Sequence, residues 1–204
     1  PLNKITANRQ DLPGEFQAWK KSNVVAQKQP NYYVTFVKLP RGNITSGQFH
    51  ALANLVREYT GGRARATQEQ NVALRWVPDG YLYQVWKGLK EIGLAESAAH
   101  EITDVVACPG TDSCKLGITS SMGLAEAIRE ELTSWNGLAK DPLVNQIRIK
   151  MSGCPNGCSL HHAANIGFHG AAMKGPSGEQ LPAYEVFIGG NYGGESFEAT
   201  RLGR

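Results

Sequence analysis

Cysteine is scarce in this chain, with four among 204 residues, and long apolar runs are missing altogether. No stretch approaches the roughly 18 apolar residues that a membrane-spanning helix needs, so no membrane partner is expected. The opening Pro1-Leu2-Asn3-Lys4 has neither the apolar centre nor the cleavage site of a secretory signal. A cytoplasmic or equivalent soluble compartment is therefore the expected location. Charge of one sign is not concentrated anywhere: 21 basic and 18 acidic residues give a net +3, with no block of about five like charges. Nucleic acid is not an expected partner. The N-terminal Pro1 and the closing Thr200-Arg201-Leu202-Gly203-Arg204 lead to the expectation of a fragment of a longer chain.

What is present suffices for a packed core, because 41% of the residues are hydrophobic, an ordinary share for a globular chain. Residues 1–30 are polar and weakly periodic, punctuated by Pro13-Gly14 and Pro30, and read as a linker or arm with a short helix near Glu15 to Lys21. Tyr33 to Leu39 is β-branched and aromatic and ends at Pro40-Arg41-Gly42-Asn43, the pattern of a strand and turn. Phe49, Leu52, Leu55, Val56 and Tyr59 then recur at helical spacing after Ser46 and stop at Gly61-Gly62. Val72, Leu74 and Trp76 alternate as one buried face of a strand. Asp79 is the expected cap of a helix whose apolar face is Leu82, Val85, Trp86, Leu89 and Ile92. Residues 31–97 thus form one α+β unit.

A second unit, residues 98–204, is organised around the cysteines. Asp104 to Ala107 is a short apolar run into Cys108, Gly123 to Leu132 has helical periodicity, and Ile147, Ile149 and Met151 alternate as a strand that delivers the chain to Gly153-Cys154. Tyr184 to Ile188 supplies one more strand. Strand ends and the loops behind them are where sites are commonly built.

All four cysteines fall in two windows, Cys108-Pro-Gly-Thr-Asp-Ser-Cys114 and Cys154-Pro-Asn-Gly-Cys158. An iron-sulfur cluster needs four thiolates, and short intervals let one loop supply two neighbouring corners. The flanking glycines and prolines fit that purpose, since Gly lets backbone N–H groups approach an anionic cluster closely. A structural zinc site is the main alternative, although its ligand pairs usually lie about two to four residues apart, which suits the second window and not the first. Disulfides require an oxidising compartment, and four cysteines in a chain of this length make no disulfide scaffold.

The stretch from Asp104 through Cys108-Pro-Gly-Thr-Asp-Ser-Cys114 to Ile118, followed by Met151-Ser-Gly-Cys-Pro-Asn-Gly-Cys-Ser-Leu-His-His-Ala-Ala-Asn-Ile-Gly-Phe168, resembles the nitrite/sulfite reductase family, in its assimilatory, ferredoxin-dependent branch. Leu39-Pro-Arg-Gly-Asn-Ile-Thr45 and Ala66-Thr-Gln-Glu-Gln-Asn71 resemble that family's ferredoxin-like half-domain. The resemblance implies an α+β fold, a ferredoxin-like half-domain followed by an α/β domain for sirohaem and a 4Fe-4S cluster. It implies the second, C-terminal half of such an enzyme, with the substrate-facing cations in the N-terminal half. It further implies Cys108, Cys114, Cys154 and Cys158 as cluster ligands, with Cys158 bridging to the sirohaem iron, and a six-electron reduction of nitrite to ammonia or of sulfite to sulfide. The partners implied are nitrite or sulfite and a reduced donor such as ferredoxin. A 4Fe-4S electron carrier without sirohaem is the rival reading.

Several other residues are candidates beside the cysteines. Asn156 is a candidate cofactor contact, by a hydrogen bond to a sulfide or the macrocycle. Glu69 stands where the family's first half has an Arg, which points to a non-catalytic role for the row Thr67 to Asn71. Arg63, Arg65 and Arg75 are candidate carboxylate partners or plain solvated charges. His161 and His162 read as supporting residues, Lys115 and Lys150 as offsets to cluster charge or as surface lysines, and Trp76 and Trp86 as core.

Overall fold

The structure is a computed structural model that describes residues 12–135, 137, 141–191 and 198–203. The chain divides into two compact units, residues 1–100 and 101–204.

The first unit is a four-stranded antiparallel sheet with helices packed on it. Its strands, β1 (Val24–Ala26), β2 (Tyr32–Val37), β3 (Ala64–Ala66) and β4 (Val72–Pro78), lie in the order β1-β2-β4-β3. Helix α2 (Ser46–Thr60) begins with a full capping box, in which Thr45 and Gln48 exchange side-chain and backbone hydrogen bonds, and ends at left-handed Gly61. Helix α3 (Leu82–Glu91) buries Leu82, Val85, Trp86 and Leu89 in the core. It starts after a short 3-10 turn, Asp79–Tyr81, with no side-chain cap. Asp79 is thus part of the approach to the helix and not its cap; its carboxylate lies 3.9 Å from Lys20.

Two expectations for this unit are corrected. The described part of the supposed arm is structural: helix α1 (Gly14–Asn23) sends Phe16 and Trp19 into the same core as Trp86. Phe16 meets Tyr83 and Trp86 edge-on at 5.3 and 5.6 Å between ring centres. The buried Asn23 amide also donates 2.9 Å hydrogen bonds to the carbonyls of Phe36 and Glu96. Residues 1–11 of the arm lie outside the described residues. Trp76 is not core. Between the pairs Tyr33↔Val77 and Thr35↔Leu74 the register shifts, so Arg75 and Trp76 together face Val34. That bulge puts Trp76 at φ 66° and turns it onto Tyr32, while Leu74 and Val77 keep the buried face.

The second unit is a five-stranded mixed sheet in sequential order: β5 (Val106–Ala107), β6 (Ile149–Ser152), β7 (Ile166–Lys174), β8 (Gln180–Ile188) and β9 (Thr200–Gly203). The first three strands are parallel, β8 pairs antiparallel with β7, and β9 pairs antiparallel with β8. Parallel neighbours need a crossover of about a dozen residues or more. Helix α4 (Ser121–Ser134) serves β5 to β6, and the cysteine-bearing segment 153–165 serves β6 to β7. Ile102, Val105, Ala107, Ala125, Ile149 and Met151 form the core beneath. Among the described residues, no helix is long and apolar enough to cross a membrane.

Candidate metal centre

Both cysteine windows leave the same edge of the sheet. Cys108 directly follows β5 and Cys154 follows β6 after Gly153, on neighbouring parallel strands paired Val106↔Lys150 and Ala107↔Met151. The carboxyl ends of parallel strands are where ligands sit in open α/β sheets, because loops diverge there and leave a crevice. Cys108 and Cys154 are buried, whereas Cys114 and Cys158 are exposed at the far ends of their loops, and all four thiols are free.

Gly153 joins the two windows. Its N–H donates to the Cys108 sulfur at 3.1 Å, and its carbonyl accepts from the amides of Ile118 and Thr119 at 2.8 and 3.1 Å. A side chain is excluded here, since a Cβ would lie 2.5 Å from Gly110 Cα and 2.9 Å from the Thr119 carbonyl oxygen. Gly110 has φ +55°, which bends the first window back so that Cys114 N–H donates to the Gly110 carbonyl at 3.0 Å. Ser121 opens helix α4 beside them; its hydroxyl donates to the Cys108 carbonyl at 2.7 Å and lies 3.5 Å from the Cys108 sulfur. The positive end of a 14-residue helix therefore lies against this thiol.

A thiolate-bound cluster is an anion that wants N–H donors and positive dipole ends around its sulfurs. The Gly153 amide and the start of α4 supply both to Cys108, so the residues present fit such a group. A cuboidal cluster takes its thiolates on four different irons, whereas a single zinc ion gathers them around one point. Among the described residues no three His, Cys, Asp or Glu side chains converge on one ion. The structure brings together the two strand ends that lead into Cys108 and Cys154, and leaves Cys114 and Cys158 exposed.

Polar residues behind the windows form a second layer. Ser152 and Ser159, both buried, bring their hydroxyls within 2.7 Å of each other across the base of the Cys154–Cys158 loop. His161 Nδ1 lies 3.0 Å from the Ser152 hydroxyl. Burial holds His161 down to about 4, with the charges of His169 and His162 adding to the effect. His169 Nε2 is 3.4 Å from the buried Glu185 carboxylate, which Arg201 also meets at 3.1 Å. The Tyr184 phenol is pushed up, first by burial and further by the Cys108 charge, against an opposing hydrogen bond with Thr119.

The other sequence candidates are placed as follows. Asn156 is exposed at the tip of the second loop, and Lys115 is exposed after the first. Lys150 is no surface lysine: it is 1% exposed in the middle of β6. Arg63 and Arg65 are exposed and Arg75 half-buried around strands β3 and β4 of the first unit. Asn71 closes the turn there, its side-chain oxygen accepting from Leu39 N–H at 2.8 Å. Sequence reasoning missed Thr119, Ser121, Ser152 and Ser159. The only signal for the last two was their adjacency to Gly153-Cys154 and Cys158, and serine is too common in loops for that to stand out.

Comparison with known proteins agrees with this geometry. Residues 25–92 match the nitrite/sulfite reductase ferredoxin-like half domain, and residues 98–204 match the nitrite and sulphite reductase 4Fe-4S domain. The chain is 29% identical over 182 residues to a ferredoxin–nitrite reductase of Synechococcus elongatus, covering 88% of this chain and 34% of that protein. It is 29% identical over 161 residues to sulfite reductase [ferredoxin] 2 of Mycolicibacterium paratuberculosis, covering 79% of this chain and 29% of that one. The solved structure of Mycobacterium tuberculosis NirA superposes with a TM-score of 0.71 at 25% identity, over 89% of this chain and 33% of that chain. The chain thus spans about a third of the length of the curated relatives it matches.

Proposed function

The chain belongs to the nitrite/sulfite reductase family, and from that premise we propose that it is the cluster-bearing part of a reductase acting on nitrite or sulfite. Cys108, Cys114, Cys154 and Cys158 would hold the 4Fe-4S cluster. The observation that carries this reading is the junction of the two windows, where Gly153 N–H donates to the Cys108 sulfur at 3.1 Å between adjacent parallel strand ends.

When bound, the 4Fe-4S cluster and sirohaem would supply the six electrons, taken singly from a donor such as ferredoxin, that together with protons convert nitrite to ammonia or sulfite to sulfide, the oxygens leaving as water. This chain's part is to hold and tune. Buried Cys108 and Cys154 anchor the inner side, and the Gly153 amide and the start of α4 offset negative charge there. Cys158 is exposed and would be the thiol that also serves the sirohaem, and Asn156, exposed in the same loop, would offer a hydrogen bond to the cofactors. The first unit contributes the second of two ferredoxin-like half-domains. The substrate-facing cations belong to the N-terminal half of the enzyme, and a cytoplasmic location suits free thiols.

The test is an anaerobic visible spectrum of the protein, produced with sirohaem synthesis and iron-sulfur assembly boosted, before and after dithionite. Haem bands with a bleachable broad shoulder, and bands that move on adding nitrite or sulfite, are the expected result. A shoulder without haem bands would favour a 4Fe-4S electron carrier instead. A colourless protein free of iron and acid-labile sulfide would overturn the cluster assignment.

A further inference from the structure

We infer that His161 is a positioning residue that locks the Cys154–Cys158 loop shut through two serine hydroxyls, and so sets how tightly these two thiols retain the cluster. This rests on the cluster reading above. The hydrogen bonds fix the direction of every proton in the chain. Ser159 Oγ lies 2.5 Å from the Met151 carbonyl, an acceptor only, so its single hydrogen goes there. Ser159 must then accept across the 2.7 Å contact from Ser152, whose only hydrogen is thereby used. Ser152 therefore accepts from its remaining neighbours, the Ser159 amide at 3.4 Å and His161 Nδ1 at 3.0 Å. His161 therefore carries a proton on Nδ1, and since burial keeps the ring neutral, Nε2 is left without one.

Position gives this chain its purpose. Ser152 is the last residue of β6, just ahead of Gly153-Cys154, and Ser159 directly follows Cys158, so their contact closes the loop at its base. The lock is rigid because its members are buried: Met151 is 0% exposed, Ser152 1%, His161 4% and Ser159 6%. His161 itself is pressed onto the sheet, where a Cβ at Gly167 of β7 would collide with the His161 carbonyl oxygen. A polar chain in such a setting holds one geometry firmly when every member is satisfied.

Two measurements test it. In the apo protein, 15N NMR of the histidines should show His161 protonated at Nδ1 and bare at Nε2; the opposite tautomer would overturn the hydrogen-bond chain. In the cluster-loaded protein, the rate of iron loss to a chelator should rise about 10- to 100-fold for His161→Phe, which keeps a ring but has no donor. His161→Asn, which can place an N–H near the same spot, should stay near the wild-type rate, with the signal of the reduced cluster in electron paramagnetic resonance likewise restored. Equal rates in all three proteins, or equally raised rates in both variants, would overturn the role of the donor. A wild-type protein that takes up no iron and sulfide would instead sink the cluster reading, with the apo tautomer still deciding the lock.

Discussion

The amide of Gly153 lies 3.1 Å from the sulfur of Cys108, 45 positions away in sequence, and this one hydrogen bond ties the two cysteine windows together. The closeness depends on the bare Cα at 153. Gly153→Ala would drive a methyl group to 2.5 Å from Gly110 Cα, a backbone atom that cannot swing aside. The strand ends must separate to admit it. Iron and sulfide analysis after reconstitution should find the variant largely without cluster while far-UV circular dichroism keeps the wild-type signature. Full cluster content would mean that the junction is incidental.

The burial contrast among the thiols predicts an order of reactivity. Exposed Cys114 and Cys158 should be alkylated first in the apo protein, and buried Cys108 and Cys154 distinctly later. Loading the cluster should protect all four. Peptide mass spectrometry of a short iodoacetamide pulse reads both statements, and a loaded protein with any one cysteine still freely labelled would remove it from the ligand set.

Helix α1 decides whether residues 14–23 are an arm or part of the first unit. Trp19 is 0% exposed and Phe16 3%, both in the core with Leu82, Val85 and Trp86. Trp19→Ala should cost about 3–5 kcal/mol, the usual range for emptying an aromatic from a packed core. Urea unfolding followed by far-UV circular dichroism would show it; a loss under about 1 kcal/mol would mean that α1 docks loosely.

The helices with clean 3.6-residue spacing, α2 and α3, were legible in the sequence, as were the strands that run into Cys108 and Cys154, because periodicity reports burial directly. Trp76 was not, since an inserted bulge residue resets the alternation and nothing in Arg75-Trp76-Val77 marks it. The helix α1 was legible near Glu15 to Lys21, but its docking was hidden by its polar face: only Phe16 and Trp19 among ten residues reach the core with Asn23, too few to set a period. At the site, cysteine spacing gave away the thiols, whereas the support from Ser121, Ser152 and Ser159 comes from strands and helices that meet only in three dimensions. Lys150 shows the same limit, a charged residue placed at the centre of a sheet that composition assigns to the surface.

His161 titrates at about 4 in the folded protein because burial and the neighbouring His169 and His162 oppose its charge, whereas an unfolded histidine titrates near 6.5. Between these values the unfolded chain binds the proton and the folded chain does not, so stability falls as pH drops through that window. Above about 6.5 both states are neutral here and the contribution is constant; below about 4 both are charged and the loss is complete. The shift corresponds to up to about 3 kcal/mol. Carboxylates titrate in the same range, so the comparison must be between wild type and His161→Asn, which lacks the group. Urea midpoints of the two apo proteins at pH 7.5, 5.5 and 4 should draw together as pH falls, the wild type losing more. Parallel curves would mean that His161 accepts its proton as readily folded as unfolded, and that the enclosure of its ring between the Cys158 loop and β7 is open to water.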